Sequence, residues 1–179
     1  MAEIKSTLDL VMEKTKNLSL SDKEKLEQKN KEIGSHIRGL LNKFQDEAIS
    51  FDRFNSEYQV LKKEYSLMGT GNEHLIKEIC GQIELGKDNQ KLFELLAQFK
   101  VSDFEGIASV LQDFHEVIDT AAQKRSKTLK DKLAKTHFIS GSAVVPNLEI
   151  DEAWRENFGK IRAKFEEKLD RQKNRLAEN

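Results

Sequence analysis

The sequence predicts an elongated all-α protein, a helical bundle of about seven helices with a long antiparallel helical hairpin and a small β-hairpin or extended loop at its tip. Two observations favour this fold. The chain has one Pro among 179 residues, and Pro is the residue that helix interiors exclude. Apolar residues also recur three and four positions apart over most of the chain, which is the spacing of one helix face. We expect one domain overall.

The N-terminal part is predicted to form two helices, at about 6–16 and 22–48. The second is expected to begin after Ser21, because Ser21 and Glu24 have the spacing of a capping box. Its first turns, 22–32, contain a single apolar side chain. We therefore expect these turns to project into solvent.

The middle of the chain is predicted to form one amphipathic helix and two short apolar ones. The first begins after Ser50 and carries a helical seam of large apolar residues. The short helices, at about 73–85 and 88–99, are apolar over much of their circumference, so we place them in the densest part of the core. Asn72 and Asp88 are predicted to cap them, because side chains of this type accept hydrogen bonds from first-turn N–H groups.

A long helix is predicted from Ser102, which forms a second capping-box pattern with Glu105, to about position 135. Its apolar stripe is wide up to about 121 and narrow beyond. A wide stripe is covered by several neighbours and a narrow one by a single partner helix. The expected partner is the last helix, at 151–170, running antiparallel and capped by Asp151.

These patterns divide the chain into three regions. Residues 1–121 are expected to form a helical body, residues 122–170 an antiparallel arm with a tip loop at 136–150, and residues 171–179 a frayed polar tail. Charge also changes along the long helix: residues 103–119 contain five acids and no base, and residues 124–135 contain six bases and one acid. This order complements the helix dipole, and a basic docking patch is the alternative interpretation.

The tip is the one segment with β character. Gly141 followed by Ser142 is typical of a two-residue hairpin turn. Adjacent strand residues point to opposite faces, so the pairs Phe138–Ile139 and Val144–Val145 cannot both be covered by one helical surface. Either the segment is an exposed working surface, or it folds back on the bundle as a plain connector.

The sequence offers little material for catalysis or metal binding. It has one Cys and four His, and it lacks the zinc-protease and P-loop patterns. The pairs His74–Glu78 and His115–Asp119 lie one helical turn apart, which is common on solvated helix faces. We therefore expect no enzyme activity and assign no catalytic, cofactor-binding or metal-binding residue. Cys80 lies beside apolar neighbours and is predicted to be a buried structural thiol.

Nucleic-acid and membrane binding are also disfavoured. The short helix pair at 73–99 has about the size of a helix-turn-helix, but the formal net charge of the chain is −1, and phosphate binding needs a cationic excess. No segment approaches the roughly 18 apolar residues of a membrane span. The N-terminus has acids where a signal peptide would be apolar. We therefore expect a cytoplasmic protein.

The leading functional hypothesis is a non-enzymatic protein-interaction or scaffold protein that self-associates as a homodimer. The candidate interaction surface combines large apolar residues of the tip and of the last helix: Phe138, Ile139, Val144, Val145, Trp154 and Phe158. One alternative is a chaperone-like or adaptor protein that grips a client with the 137–148 tip. Another is a small-ligand or metal-binding helical bundle.

Circular dichroism should show more than about 65% helix, well above the ordinary one-third. EDTA should leave the melting temperature unchanged, because removing a structural metal would destabilise the folded state. A loss of several degrees on chelation would contradict this expectation.

Overall fold

The computed structural model describes residues 21–67, 72–102 and 104–178, and helix covers 76% of them. The described residues form six helices, in chain order: α1 Asp22–Gln45, α2 Phe51–Glu64, α3 Glu73–Gln82, α4 Gln90–Gln98, α5 Glu105–His137 and α6 Glu152–Glu178. The helix predicted at 6–16 lies outside the described residues. No described helix has the length and apolar content needed to cross a membrane.

The first described helix, α1, begins at the predicted capping box. The Ser21 N–H donates to Glu24 Oε2 at 2.7 Å, and the Glu24 N–H donates to Ser21 Oγ at 3.3 Å. Residues 22–32 are exposed along their length, and burial begins at Ile33. The capping box therefore starts a helix whose first turns are not held by tertiary packing.

The short helices α3 and α4 supply the centre of the core. The first lies between α1 and α6, and the second packs against α1. Both present side chains that are fully or almost fully buried: Leu75, Ile79, Cys80, Leu92, Leu95 and Leu96. Each of these helices also has an exposed face, which includes Glu73 and Lys77 of α3 and Gln90 and Gln98 of α4.

One close approach in the body depends on a glycine. A Cβ at Gly34 would lie 2.4 Å from Glu78 Oε1, and that carboxylate forms a 2.8 Å ion pair with Arg38. Gly39 has nothing within 4 Å of its Cβ position. A side chain at the first position would therefore displace the Glu78 carboxylate, whereas the second glycine has no such contact.

The turn between α3 and α4 is organised by a buried amide. Asn89 is 6% exposed, and its side chain accepts from the N–H of Glu84 and donates to the carbonyls of Glu84 and Lys87. Gly86 provides the positive φ of this turn, at 77°. The predicted cap, Asp88, lies one residue before the actual N-cap position and accepts from the N–H of Gln90.

The two long helices, α5 and α6, run antiparallel as the sequence predicts. The rings of Phe114 and Phe165 meet edge to face with centroids 5.6 Å apart. Farther along α5, Arg125 pairs with Asp151. Later residues of α5 therefore contact earlier residues of α6, so the two helices run in opposite directions. The pair begins inside the core and continues beyond it.

The structure differs from the sequence prediction at the start of α5. The helix begins at Glu105, its N-cap position is Phe104, and no side chain caps it. The predicted capping box with Ser102 requires Glu105 to be the third helical residue, but Glu105 is the first. Burial of Ile107 and packing of Phe104 against the core set this end of the helix instead of a polar cap.

The C-terminal segment also differs from the prediction. Helix α6 continues to Glu178 instead of fraying after about 170. Leu176 is 3% exposed and belongs to the core cluster, and Lys173 Nζ donates to the carbonyl of Ile83. Leu176 and Lys173 thus fix the last turns of α6 against the body, although this part of the helix is otherwise mostly polar.

The predicted β-hairpin is not present. Residues 138–151 contain turns and irregular backbone, without any strand. Gly141 accepts from the N–H of Val144 at 3.3 Å, so the glycine does lie in a turn. A two-stranded hairpin is marginal without a face to pack on, and the end of a two-helix arm offers no such face.

Three body helices end in an unusual way. Residues Glu47, Ser66 and Lys100 follow α1, α2 and α4 with φ of 57°, 58° and 54°. In each case the next N–H donates to a carbonyl five residues back, which is the Schellman arrangement. Glycine is the usual residue at this position because an L side chain is strained there.

Replacing Lys100 with Gly should therefore stabilise the protein by about 1 kcal/mol, or roughly 2–4 °C in melting temperature. Gln123→Gly, at an exposed position inside α5, should have the opposite effect because Gly is unfavourable within helices. Thermal melts of both variants test the assignment. Equal destabilisation would contradict a left-handed conformation at Lys100.

Candidate interaction site

The arm is the part of the α5–α6 pair that extends beyond the core. Phe114 is the last buried residue of α5, and Ala122, Leu129 and Leu133 are only half-buried. Residues 122–137 correspond to about 24 Å of helix at 1.5 Å per residue. The tip loop, 138–151, is thereby held well away from the body.

The tip loop exposes large apolar side chains. Of the seven large hydrophobic residues that are exposed among the described residues, four lie in this loop: Phe138 at 90%, Val145 at 83%, Ile150 at 75% and Ile139 at 50%. Val144 is half-buried, so the two adjacent valines differ in exposure. Isolated exposed apolar residues are normal on a protein surface, but four of them within one loop of 14 residues is a concentration found nowhere else among the described residues.

The first end of the loop is strained. Phe138 has φ 56° and ψ 26°, the left-handed region, which is unusual for a bulky side chain. The N–H groups of Phe138 and Ile139 both point to the carbonyl of Leu133, a wider turn than those that end the body helices. No packing compensates for this strain, because the ring is almost fully exposed.

The second end of the loop is held by a two-pronged ion pair. Arg125 Nε and Nη2 donate to the two carboxylate oxygens of Asp151, each at 2.8 Å. The predicted cap is also confirmed, since Asp151 Oδ1 accepts from the N–H of Trp154 at 2.7 Å. Hydrogen bonds from Arg125 hold the pKa of the Asp151 carboxyl below its usual range, and the Trp154 N–H acts in the same direction.

Between these ends, short-range hydrogen bonds order the chain. The Glu149 N–H donates to Asn147 Oδ1 at 2.9 Å, and the Asp151 N–H donates to the carbonyl of Leu148 at 3.1 Å. Such turns fix the backbone without covering side chains. The loop therefore displays its apolar residues from an organised backbone.

A groove of about 730 Å³ runs along the arm between α5 and the start of α6. Its wall on α6 includes Trp154, which is half-buried and packs on Phe158 with ring centroids 6.0 Å apart. The groove is lined by Glu116, Val117, Thr120, Ala121, Lys124, Arg125, Thr128, Ala153, Trp154 and Asn157.

The large apolar residues predicted on the last helix are mostly covered within the chain. Phe165 is buried, and Phe158 and Ile161 pack against the core. Trp154 is the member of this set that borders the groove instead. Of the six predicted interaction residues, four therefore lie in the tip loop, Trp154 lies beside the groove, and Phe158 lies at the edge of the core.

The residues considered for metal binding or catalysis have other surroundings. His115 Nδ1 lies 2.9 Å from the carbonyl of Leu111 on its own helix, and Glu78 pairs with Arg38. Within 21–67, 72–102 and 104–178, no group of three or more His, Cys, Asp or Glu side chains could hold a metal ion. Gly69, Thr70 and Gly71 precede α3 in the sequence and were considered as backbone N–H donors to an anion, but they lie outside the described residues.

Cys80 is buried, as predicted. Burial raises the pKa of its thiol, which keeps the sulfur protonated and unreactive. Burial likewise raises the pKa of Tyr58 to about 12. Both groups behave as parts of the core.

Three residues of the site were not predicted from the sequence. Ile150 was missed because it stands alone between polar residues. Arg125 was missed because its partner lies 26 positions away. Helical spacing predicts that Val117 belongs to the apolar stripe of α5, but it is 41% exposed beside the groove.

Comparison of the chain with protein-family models, with curated proteins and with solved structures finds no match. The geometry of the arm and its tip is therefore the basis on which we propose a function.

Converting Asp151 to Asn should keep the cap, since Asn is as good an N-cap residue as Asp, and remove the ion pair. The pKa of this carboxyl is lowered in the folded state, so its contribution to stability is present above the unfolded value of about 3.9 and lost as pH falls through the folded value. The wild-type protein should therefore have a higher melting temperature than the Asp151→Asn variant at neutral pH. The two melting temperatures should converge in acid.

Asp131→Asn is the matched control, because Asp131 is exposed on the same arm and forms no salt bridge with a described residue. Its melting temperature should follow wild type across the same pH range. A difference between wild type and Asp151→Asn that persists unchanged to the lowest pH would contradict the role of the ion pair.

Proposed function

We propose that this chain is a non-enzymatic protein-interaction protein that binds a protein partner with the apolar tip of its helical arm. The observation that carries the proposal is the exposure of Phe138, Val145 and Ile150 on one loop of 14 residues, 138–151. Exposing large apolar side chains to water is unfavourable, and burial against a partner removes that cost.

The charges around the tip favour a protein over a membrane surface. Residues 130–156 contain four Lys or Arg and five Asp or Glu, so the apolar cluster is surrounded by both signs. Loops and helices that bind anionic bilayers combine apolar residues with a clear cationic excess. A mixed polar rim around an apolar centre is the arrangement of protein interfaces.

The organised backbone of the loop favours a specific partner over a range of unfolded clients. The left-handed turn at Phe138 and the Arg125–Asp151 ion pair fix its two ends. A preorganised surface loses less conformational entropy on binding, whereas promiscuous binding surfaces are flexible and can repack. An adaptor is therefore the better supported form of the chaperone-like alternative.

The small-ligand alternative receives less support. A second concave surface, about 730 Å³, lies between α4 and α5 and is bordered by Phe93, Phe104 and His115. Its most buried polar side chain, Asn89, already makes three hydrogen bonds to the turn backbone. A ligand site needs polar groups that remain available to orient the ligand.

The Phe138→Gly variant should change thermal stability and partner binding in opposite directions. Gly relieves the left-handed strain and removes an almost fully exposed ring, so the variant should be more stable by about 1 kcal/mol. The same change should abolish capture of the protein partner. The measurement is affinity purification from the native cell with wild-type and variant protein, compared with their thermal melts.

Two further variants complete the test. Val145→Asp should leave the melting temperature nearly unchanged and remove partner capture, because the side chain is exposed in the free protein and buried in the complex. Val60→Asp is the control, since Val60 is 63% exposed on α2, far in sequence from the tip, and should affect neither. If both tip variants capture the same proteins as wild type, the tip is not the interaction site.

A further inference from the structure

Four exposed charges of α5 have no ion-pair partner among the described residues, and Glu116 has only a neutral one, because its Oε1 accepts from the Gln112 side chain at 3.0 Å. Asp113, Glu116, Lys124 and Lys127 are all exposed, and none forms a salt bridge with a described residue. Helix α6 behaves differently, because three of its basic residues pair with a Glu four positions away: Lys160 with Glu156, Arg162 with Glu166 and Arg171 with Glu167. The four charges of α5 thus have no oppositely charged side chain within ion-pair distance among the described residues.

These charges are arranged symmetrically about one residue. Asp113 and Glu116 precede Thr120 by seven and four positions, and Lys124 and Lys127 follow it by four and seven. The helix dipole favours acids before bases, but it acts within the first and last turns. Positions 113–127 lie in the interior of the 33-residue helix, so the dipole does not account for them.

A second copy of the same helix matches this pattern. When two α5 helices lie antiparallel with a two-fold axis at Thr120, position 116 faces 124 and position 113 faces 127. Four oppositely charged pairs form, two from each direction. Two-fold contacts of this kind are self-complementary by construction, and charge patterns of this kind determine register and orientation in paired helices.

The groove on the arm provides room for the second helix. Thr120, Ala121 and Ala153 are small side chains that permit close helix approach, and Val117 and Trp154 provide apolar surface beside them. Helix α5 of each copy would occupy the α5–α6 groove of the other. Each arm would then lie beside the body half of the α5 helix of the second copy, and α5 and α6 of both copies would pack as four helices around the axis.

We infer that the chain forms a two-fold homodimer through the outer face of α5, centred on Thr120, with each α5 seated in the groove of its partner. This inference goes beyond the proposed function, because it assigns self-association to one surface of α5. It concerns a surface separate from the tip, so the two can be tested independently.

Charge reversal tests the pairing directly. One variant carries Lys124→Glu and Lys127→Glu, and the other carries Asp113→Lys and Glu116→Lys. Each variant alone places like charges opposite each other and should weaken self-association at least about tenfold. A mixture of the two restores every pair and should form a heterodimer as stable as the wild-type dimer, as measured by light scattering and sedimentation.

Two controls exclude general electrostatic attraction. The chain with all four reversals keeps the wild-type net charge and should again form a homodimer. A chain with Glu27→Lys and Glu32→Lys, on the exposed first turns of α1, has the same charge change as the cationic variant. It should not form a heterodimer with the anionic variant.

A cysteine crosslink tests the axis. Cys80 is buried, so Thr120→Cys adds an accessible thiol, and two copies at the axis should be joined by a short bis-maleimide. Thr136→Cys, also exposed on α5, faces position 104 of the second copy and should remain uncrosslinked. Equal crosslinking of both variants would overturn the proposed register.

The remaining outcomes are also decisive. A monomeric mass for wild type at tens of micromolar would overturn the dimer and leave partner capture by the tip intact. A mixture of reversed variants that associates no better than either one alone would overturn the α5 interface. If the tip variants remain dimeric but no longer capture the protein partner, the result supports the tip as the partner-binding site and a separate surface as the dimer interface.

Discussion

The antiparallel pairing of α5 with α6 is the interaction on which the rest of the molecule depends. At the body end, Phe114 meets Phe165 inside the core, and Leu176 extends that contact to the last turns of α6. Away from the body, the same two helices hold the tip loop and form the groove. Stability and the proposed recognition surfaces thus depend on one helix pair, divided along its length between buried and exposed environments.

Helical periodicity predicts most of this fold, because burial of a continuous apolar stripe determines both the helix and its orientation. The capping box at Ser21 and the cap at Asp151 were also predictable, since each involves contacts within one turn. The start of α5 and the order of the last turns of α6 were not. Those ends depend on tertiary contacts of Phe104 and Leu176, which local capping and polarity rules do not include.

The candidate site was predictable only in part. The tip is exposed, which is one of the two possibilities that the sequence leaves open, but the strand backbone assumed for its adjacent apolar pairs is absent. The left-handed backbone at Phe138 could not be predicted, because sequence rules assign that conformation to Gly or Asn. The groove and the Arg125–Asp151 ion pair join positions from two helices, and only the pairing of those helices brings them together.

The continuity of α5 has a mechanical consequence. From Phe114 to Phe138 the helix is uninterrupted by Pro or Gly, so it behaves as a lever about 36 Å long. A tilt of about 10° at the Phe114–Phe165 contact displaces the Phe138 ring by roughly 6 Å, from that length alone. A small rearrangement of core packing, in which the same residues stay buried, is therefore enough to move the tip by a distance comparable to the size of a side chain.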